Sequence, residues 1–164
     1  MKTAVLYHAS TLKVMNPLTN VGRADLDFGP GFYLTKDLEQ AVKWAVTQAS
    51  RRPDAKPVVN RYNFDADAFS TGKWQKKIFT EYSVEWLDFV AASRKGGEPW
   101  KKYDWIEGGI ANDAVISTVD AYVDGFITAS QALDRLINEK VRHQICISNQ
   151  RIIDQCLKFD GVVE

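Results

Sequence analysis

Cysteine is scarce in this chain of 164 residues, with Cys146 and Cys156 the two present. Their spacing fits neither a metal motif nor a secreted disulfide scaffold, so both are expected as reduced, mostly buried thiols. An excess of charge is missing as well, because 21 Lys+Arg face 21 Asp+Glu. No global field therefore draws the chain toward nucleic acid or a membrane surface. No apolar run approaches the ~20 residues of a membrane-spanning helix. The first residues, Met1 to His8, hold too short an apolar run for a signal peptide. The cytoplasm is the expected compartment. Repeats, linkers and low-complexity segments are lacking too, and residues 1–164 are expected to form one domain. What the chain has in quantity is aromatic: 12% of its residues, five of them Trp, enough for both packing and ligand stacking.

Local patterns divide the chain into strands and helices. Thr3 to His8 reads as a first strand, and the stretch from Thr11 to Pro30 is too rich in Asn, Pro, Gly and Asp to be regular. Phe28-Gly29-Pro30-Gly31-Phe32-Tyr33-Leu34-Thr35 reads as a tight turn entering a strand. Asp37 is a good N-cap, with Gln40 three residues on. Leu38, Ala41, Val42, Ala45, Val46 and Ala49 then form an apolar stripe. Val58 to Phe64 is a predicted strand, residues 65–80 are ambiguous, and Glu81 to Ser93 is a predicted helix stopped by Gly96-Gly97. Further expectations are a strand over Tyr103 to Glu107, a helix over Asn112 to Asp124 and a capped helix from Thr128 to about Glu139. Arg142 to Ser148 alternates as a strand, with Ile145 and Ile147 on one face and Gln144 and Cys146 on the other. Asn149 caps a last helix carrying Ile152, Ile153, Cys156 and Leu157. Strands at both ends, with helices between them in no regular βαβ order, point to an α+β domain.

Three places hold residues suited to chemistry. In Tyr7-His8-Ala9-Ser10 a histidine leaves a strand into small residues. In Asp27 to Thr35 two glycines around a proline allow a close backbone approach to a ligand, and an aromatic follows at once. In His143 to Ser148 a polar amide, Gln144, lies opposite an apolar face. Each alone has a plain structural explanation: a structural histidine, a hairpin turn and an exposed glutamine.

Taken in order, these segments resemble the ADP-ribosyltransferases of the diphtheria-toxin and poly(ADP-ribose)-polymerase type, which carry His, Tyr and Glu on three separate strands. The matching residues are His8-Ala9-Ser10, then Phe28-Gly29-Pro30-Gly31-Phe32-Tyr33-Leu34, with Trp44 at the place of a second aromatic. The chain is similar along nearly its whole length to a bacterial family of small proteins related to these enzymes. Shared segments are Gln40-Ala41-Val42-Lys43-Trp44-Ala45, Glu85-Trp86-Leu87-Asp88-Phe89-Val90, Tyr103-Asp104 with Ile110-Ala111-Asn112-Asp113, and Gln144-Ile145-Cys146. Two positions depart from the enzymes: Ala9 stands for a glycine, and Gln144 for the catalytic glutamate.

The resemblance implies a split β-sandwich with flanking helices that binds NAD as a substrate and breaks its nicotinamide–ribose bond. It implies His8, Tyr33 and Gln144 as the catalytic set. The NAD-binding set is then His8, Ala9, Ser10, Arg23, Tyr33 and Trp44, with Arg23 at the pyrophosphate. Tyr33 and Trp44 would stack on the nicotinamide, and His8 would hold a ribose hydroxyl of the adenosine half, with Ser10 close by. Gln144 brings no charge, where a carboxylate at about 4 Å and an effective dielectric of ~20 supplies roughly 4 kcal/mol toward an oxocarbenium-like sugar. The expected activity is therefore a slow mono-ADP-ribosyltransferase of toxin or defence type, partnered by a small companion or antitoxin protein. Its acceptor, protein or nucleic acid, is left open. The alternatives are an NAD glycohydrolase, an inactive NAD- or ADP-ribose-binding module, and an interaction domain whose aromatics are core.

Overall fold

The structure is a computed structural model describing residues 2–21, 26–111 and 113–163. From the N-terminus come β1 (Thr3–Ser10), β2 (Phe32–Leu34), α1 (Leu38–Ala49), β3 (Val58–Asp65), α2 (Ala66–Ser70), β4 (Lys76–Ile78) and α3 (Val84–Arg94). There follow β5 (Trp105–Gly109), α4 (Asp113–Val123), α5 (Ala129–Leu136), β6 (His143–Ile147), α6 (Gln150–Cys156) and β7 (Leu157–Val163). The α+β class expected from the sequence is what forms. Among the described residues no helix is long and apolar enough to cross a membrane.

The strands make two sheets, one of order β1-β3-β7 and one of order β2-β6-β5-β4. The pairing is antiparallel except between β4 and β5. Side chains alternate across a strand, so β6 can serve two cores at once. Ile145 and Ile147 join Leu6, Phe32, Leu34, Tyr62 and Phe64 between the sheets. Cys146 joins Phe28, Ile106 and the buried side chains of α3 and α4 on the other side. Both faces of β6 are therefore buried, which corrects the picture of a strand with one apolar and one open face. Cys146 and Cys156 are free and buried, as expected.

The helices begin where their caps predict. The Asp37 carboxylate accepts from the Gln40 N–H at 3.2 Å to start α1. Ser83 does the same for α3, and Thr128 with Gln131 forms a complete capping box for α5. The buried stripe of α1 is narrower than the sequence suggests. Ala41 and Ala45 are fully covered by β1 and β3 at Ala9 and Val59, while Val42 and Val46 face outward. Small residues let the helix lie close on the sheet, and this closeness sets where Trp44 sits.

Three elements depart from the expectation. The ambiguous 65–80 region holds α2, capped by Asp65, and the short β4. Leu157, expected in the last helix, instead opens β7, which was not foreseen. A register shift opposite Arg61 accommodates Asp160 and Gly161, the latter at φ +106°, and so carries β7 along β3 as a bulged strand. The 112–124 and 128–139 helices end sooner than expected, at Val123 and Leu136.

Candidate active site

The two sheets approach each other where the end of β1 meets the end of β2. A single antiparallel bridge joins Tyr7 and Thr35, with N–H to carbonyl distances of 2.8 and 2.9 Å. Beside it lies a cleft of about 570 Å³. Its lining includes His8 from β1, Tyr33 from β2, Trp44 and Gln48 from α1, and Gln144 from β6. A second lobe of about 680 Å³ continues from it, sharing Leu26, Trp44, Gln48 and Arg51 and reaching Thr11 and Arg52. Each lobe lies in the size range of small-molecule sites.

His8 is fixed from two sides. Its ring stacks on Phe32 with centroids 4.2 Å apart, and its Nδ1 lies 2.6 Å from the Tyr33 carbonyl oxygen. A carbonyl only accepts, so Nδ1 carries the proton and Nε2 is the acceptor in the neutral ring. Burial lowers its pKa from the ordinary value, outweighing the hydrogen bond to Tyr33. A neutral imidazole in a fixed tautomer is suited to receive a hydroxyl proton, not to bind an anion.

Tyr33 offers its ring, not its hydroxyl. The hydroxyl donates to the Gly29 carbonyl at 2.5 Å and accepts from the Phe28 N–H at 3.1 Å. Burial, with Cys146 beside it, pushes the phenol far above its usual range. With its hydroxyl engaged by Phe28 and Gly29, Tyr33 presents a flat aromatic wall to the cleft.

The glycines of this motif are required by the protein's own packing, and Gly31 also lines the cleft. Gly29 has φ +78°, and a Cβ there would lie 2.3 Å from the Trp100 indole. A Cβ on Gly31 would lie 2.5 Å from Cys146 Sγ and 2.7 Å from the Ile147 carbonyl. The turn is therefore pressed against α3's C-terminal loop and β6.

Not every expected residue reaches the cleft. The Ala9 methyl packs with Ala41 and Ala45 under α1. No described non-glycine residue has positive φ, so alanine is at home there. The Ser10 hydroxyl accepts from the Leu12 N–H at 3.1 Å, outside the cleft lining. Arg23 lies outside the described residues. Trp44 and Gln48 share one stripe of α1, four residues apart, and Arg51 follows just beyond the C-cap Ser50 at the junction of the two lobes.

Gln144 is 5% exposed, and its Nε2 donates to Asp27 Oδ2 at 3.4 Å and to the Gly109 carbonyl at 3.5 Å. Asp27 was missed as a site residue. Its Oδ1 pairs with Arg94 Nε at 3.0 Å, its Oδ2 also accepts from the Ala111 N–H at 3.2 Å, and its side chain is 11% exposed. Arg94 also reaches Asp120 at 3.2 Å. Asp27 directly precedes the Phe28-Gly29-Pro30-Gly31 turn, where an aspartate is an ordinary turn residue. Arg94 stood at a helix end, where arginine is ordinarily a solvated dipole partner.

Glu107 is the other buried carboxylate nearby. It pairs with Ile145 across β5 and β6 and so faces the inter-sheet core, away from Gln144. His143 Nε2 lies 2.7 Å from its Oε2, and the Trp105 indole N–H donates to its Oε1 at 3.0 Å. Burial works against its ionisation, but the bonds from His143 and Trp105 prevail and hold its carboxyl below the usual range.

These layers define an α+β protein with a ligand-sized cleft at the mouth between two sheets. Over residues 4–159 the chain matches the family described as a protein of unknown function (DUF3990), and it belongs to that family. No curated protein and no solved structure matches it.

Proposed function

We propose that the protein is an NAD-dependent mono-ADP-ribosyltransferase of split β-sandwich type. The observation carrying this reading is the convergence of His8, Tyr33, Trp44 and Gln144, from four separate elements, on one cleft. NAD⁺ bears a cationic pyridinium joined to ribose. In the reaction the C–N bond breaks, nicotinamide leaves with its electron pair, and an acceptor oxygen or nitrogen bonds C1 of the ribose while its proton passes to solvent. The Tyr33 and Trp44 rings provide aromatic faces for the cationic ring, worth about 0.5–2 kcal/mol each. His8 Nε2 accepts from a ribose hydroxyl, and Gln144 orients the hydroxyls on the nicotinamide side. The lobe extending past Arg51 suits the pyrophosphate and adenosine half, and Arg51, lining both lobes, offers a guanidinium for the phosphates beside that expected of Arg23.

One observation favours NAD glycohydrolysis or binding without turnover as a second reading. The residue at this position of β6, Gln144, is an amide, so the charge nearest the reacting sugar is not on that side chain. With water as acceptor the same cleavage yields free ADP-ribose. Nicotinamide release from NAD⁺ by the purified protein, set beside calorimetric titration with NAD⁺, separates the readings. Release with label on a macromolecule supports the transferase, release with free ADP-ribose the glycohydrolase, and heat without release the binding module. Absence of both heat and release refutes all three. On the same resemblance the proposal extends to a toxin or defence role beside a small companion protein. Induced expression is then expected to arrest growth, and His8→Ala at equal protein level to relieve the arrest.

A further inference from the structure

The Gln144 amide nitrogen lies within hydrogen-bond distance of two protein acceptors, Asp27 Oδ2 at 3.4 Å and the Gly109 carbonyl at 3.5 Å, and has two protons to give them. The oxygen, Oε1, is the end left for the cleft that the side chain lines. Asp27 is held in turn by Arg94 and by the Ala111 N–H, and it lines the same cleft. The amide is therefore not free to turn over, because its reversal would set an oxygen against a carboxylate and a carbonyl.

We propose that Asp27 and Gln144 act as one unit, in which Asp27 is a positioning residue. Its carboxylate turns the Gln144 amide so that Oε1 is the acceptor presented to a sugar hydroxyl, and it places a fixed negative charge at the cleft. The sugar rests on the functional reading above; the geometry of the pair does not. One consequence reverses what composition alone suggests. A carboxylate at position 144 adds charge in favour of a sugar cation, yet here it would meet Asp27 and the Gly109 carbonyl with no proton to give either. Two carboxylates at hydrogen-bond distance do not both ionise. The glutamine is thus the partner that an adjacent acid requires, and the site keeps its charge one residue removed. Other groups facing the pair are Arg94 from α3 with Asp120 of α4 behind it, Tyr33 from β2, Tyr82 before α3, and His8 from β1 in the same cleft.

The test compares wild type, Gln144→Glu, Asp27→Asn and the double variant, first without ligand, by thermal unfolding between about pH 5 and about pH 8. Beside Asp27 the introduced carboxyl has a folded-state pKa above its unfolded value of about 4.3. Its contribution to stability is then full below that value and is lost as pH rises through the raised one. Gln144→Glu is expected to lose melting temperature relative to wild type as pH rises, and the double variant to return to the pH dependence of Asp27→Asn. A Gln144→Glu curve parallel to wild type overturns the pairing. If Gln144→Glu does not fold at neutral pH, folding of the double variant there supports it, and failure of both to fold overturns it. With NAD⁺, Asp27→Asn is expected to lower kcat about tenfold with KM within about twofold, and the double variant to exceed Gln144→Glu. Equal loss in the double variant and in Gln144→Glu counts against the unit. Should wild type release no nicotinamide, the functional reading alone falls, and the ligand-free curves still decide the pair.

Discussion

The Nδ1 of His8 donates to the carbonyl of Tyr33, the residue whose ring walls the same cleft, so the hydrogen-bonding state of one fixes the backbone of the other. Protonating His8 keeps this bond but places a charge among Phe32 and its neighbours, which burial resists. The folded-state pKa is lowered, so the stability contributed by neutral His8 is present above the unfolded value of about 6.5 and is lost as pH falls through the folded value. Melting temperature should fall on acidification below about pH 6.5, and His8→Gln should flatten that part of the curve. An unchanged acid limb in His8→Gln would assign the loss elsewhere.

Trp44 stands on a stripe of α1 with Gln48, at the junction of both lobes. Trp44→Ala is expected to weaken NAD⁺ binding by about 1–2 kcal/mol, and Trp44→Phe to restore most of it through the remaining ring. Calorimetry on variants with wild-type circular dichroism measures this. Equal affinity in all three proteins removes Trp44 from the ligand site.

Glu107 faces the inter-sheet core, so it is not the source of charge for the cleft. Glu107→Gln should leave nicotinamide release within about twofold of wild type. Stability behaves differently. The Glu107 carboxyl is held low, so its contribution is present above the unfolded value of about 4.3 and lost as pH falls through the folded one. The variant should lack that acid-dependent part. Loss of turnover without loss of fold would contradict the placement of this carboxylate.

Gly31 has no room for a side chain against Cys146 and Ile147. Gly31→Ala should cost about 1–3 kcal/mol by overpacking, read as a lower urea midpoint. Cys146→Ala should tolerate the added methyl better, making the pair non-additive in a double-mutant cycle. Additive losses would show that the backbone at Ile147, and not the sulfur, sets the limit.

The sequence carried the elements whose signals are local. The Asp37 cap and the Thr128–Gln131 box mark α1 and α5, and alternation marks β6. The assignment of His8, Tyr33, Trp44 and Gln144 to one cleft came from ordered motifs, and they do line one. What stayed hidden depends on contacts distant in the chain. β7 contains Asp160-Gly161, which reads as a turn until Arg61 is seen paired with Asp160 across the sheet. Asp27 becomes part of the site only through Arg94, Ala111 and Gln144, which no periodicity connects. Ala9 and Ser10 came from the same motif as His8, but the Ala9 side chain points to the opposite strand face, under α1, and the Ser10 hydroxyl is taken up by the Leu12 N–H.

The Tyr33 hydroxyl is bonded on both its donor and its acceptor side to the turn that precedes its own strand. A ring tethered at its far edge does not swing aside to admit a ligand and does not have to be captured by one. Most interfaces lose affinity to the entropy of freezing side chains as they close; at this wall that ordering was completed when the chain folded. A flat ligand placed against this ring would meet a finished surface on that side of the cleft.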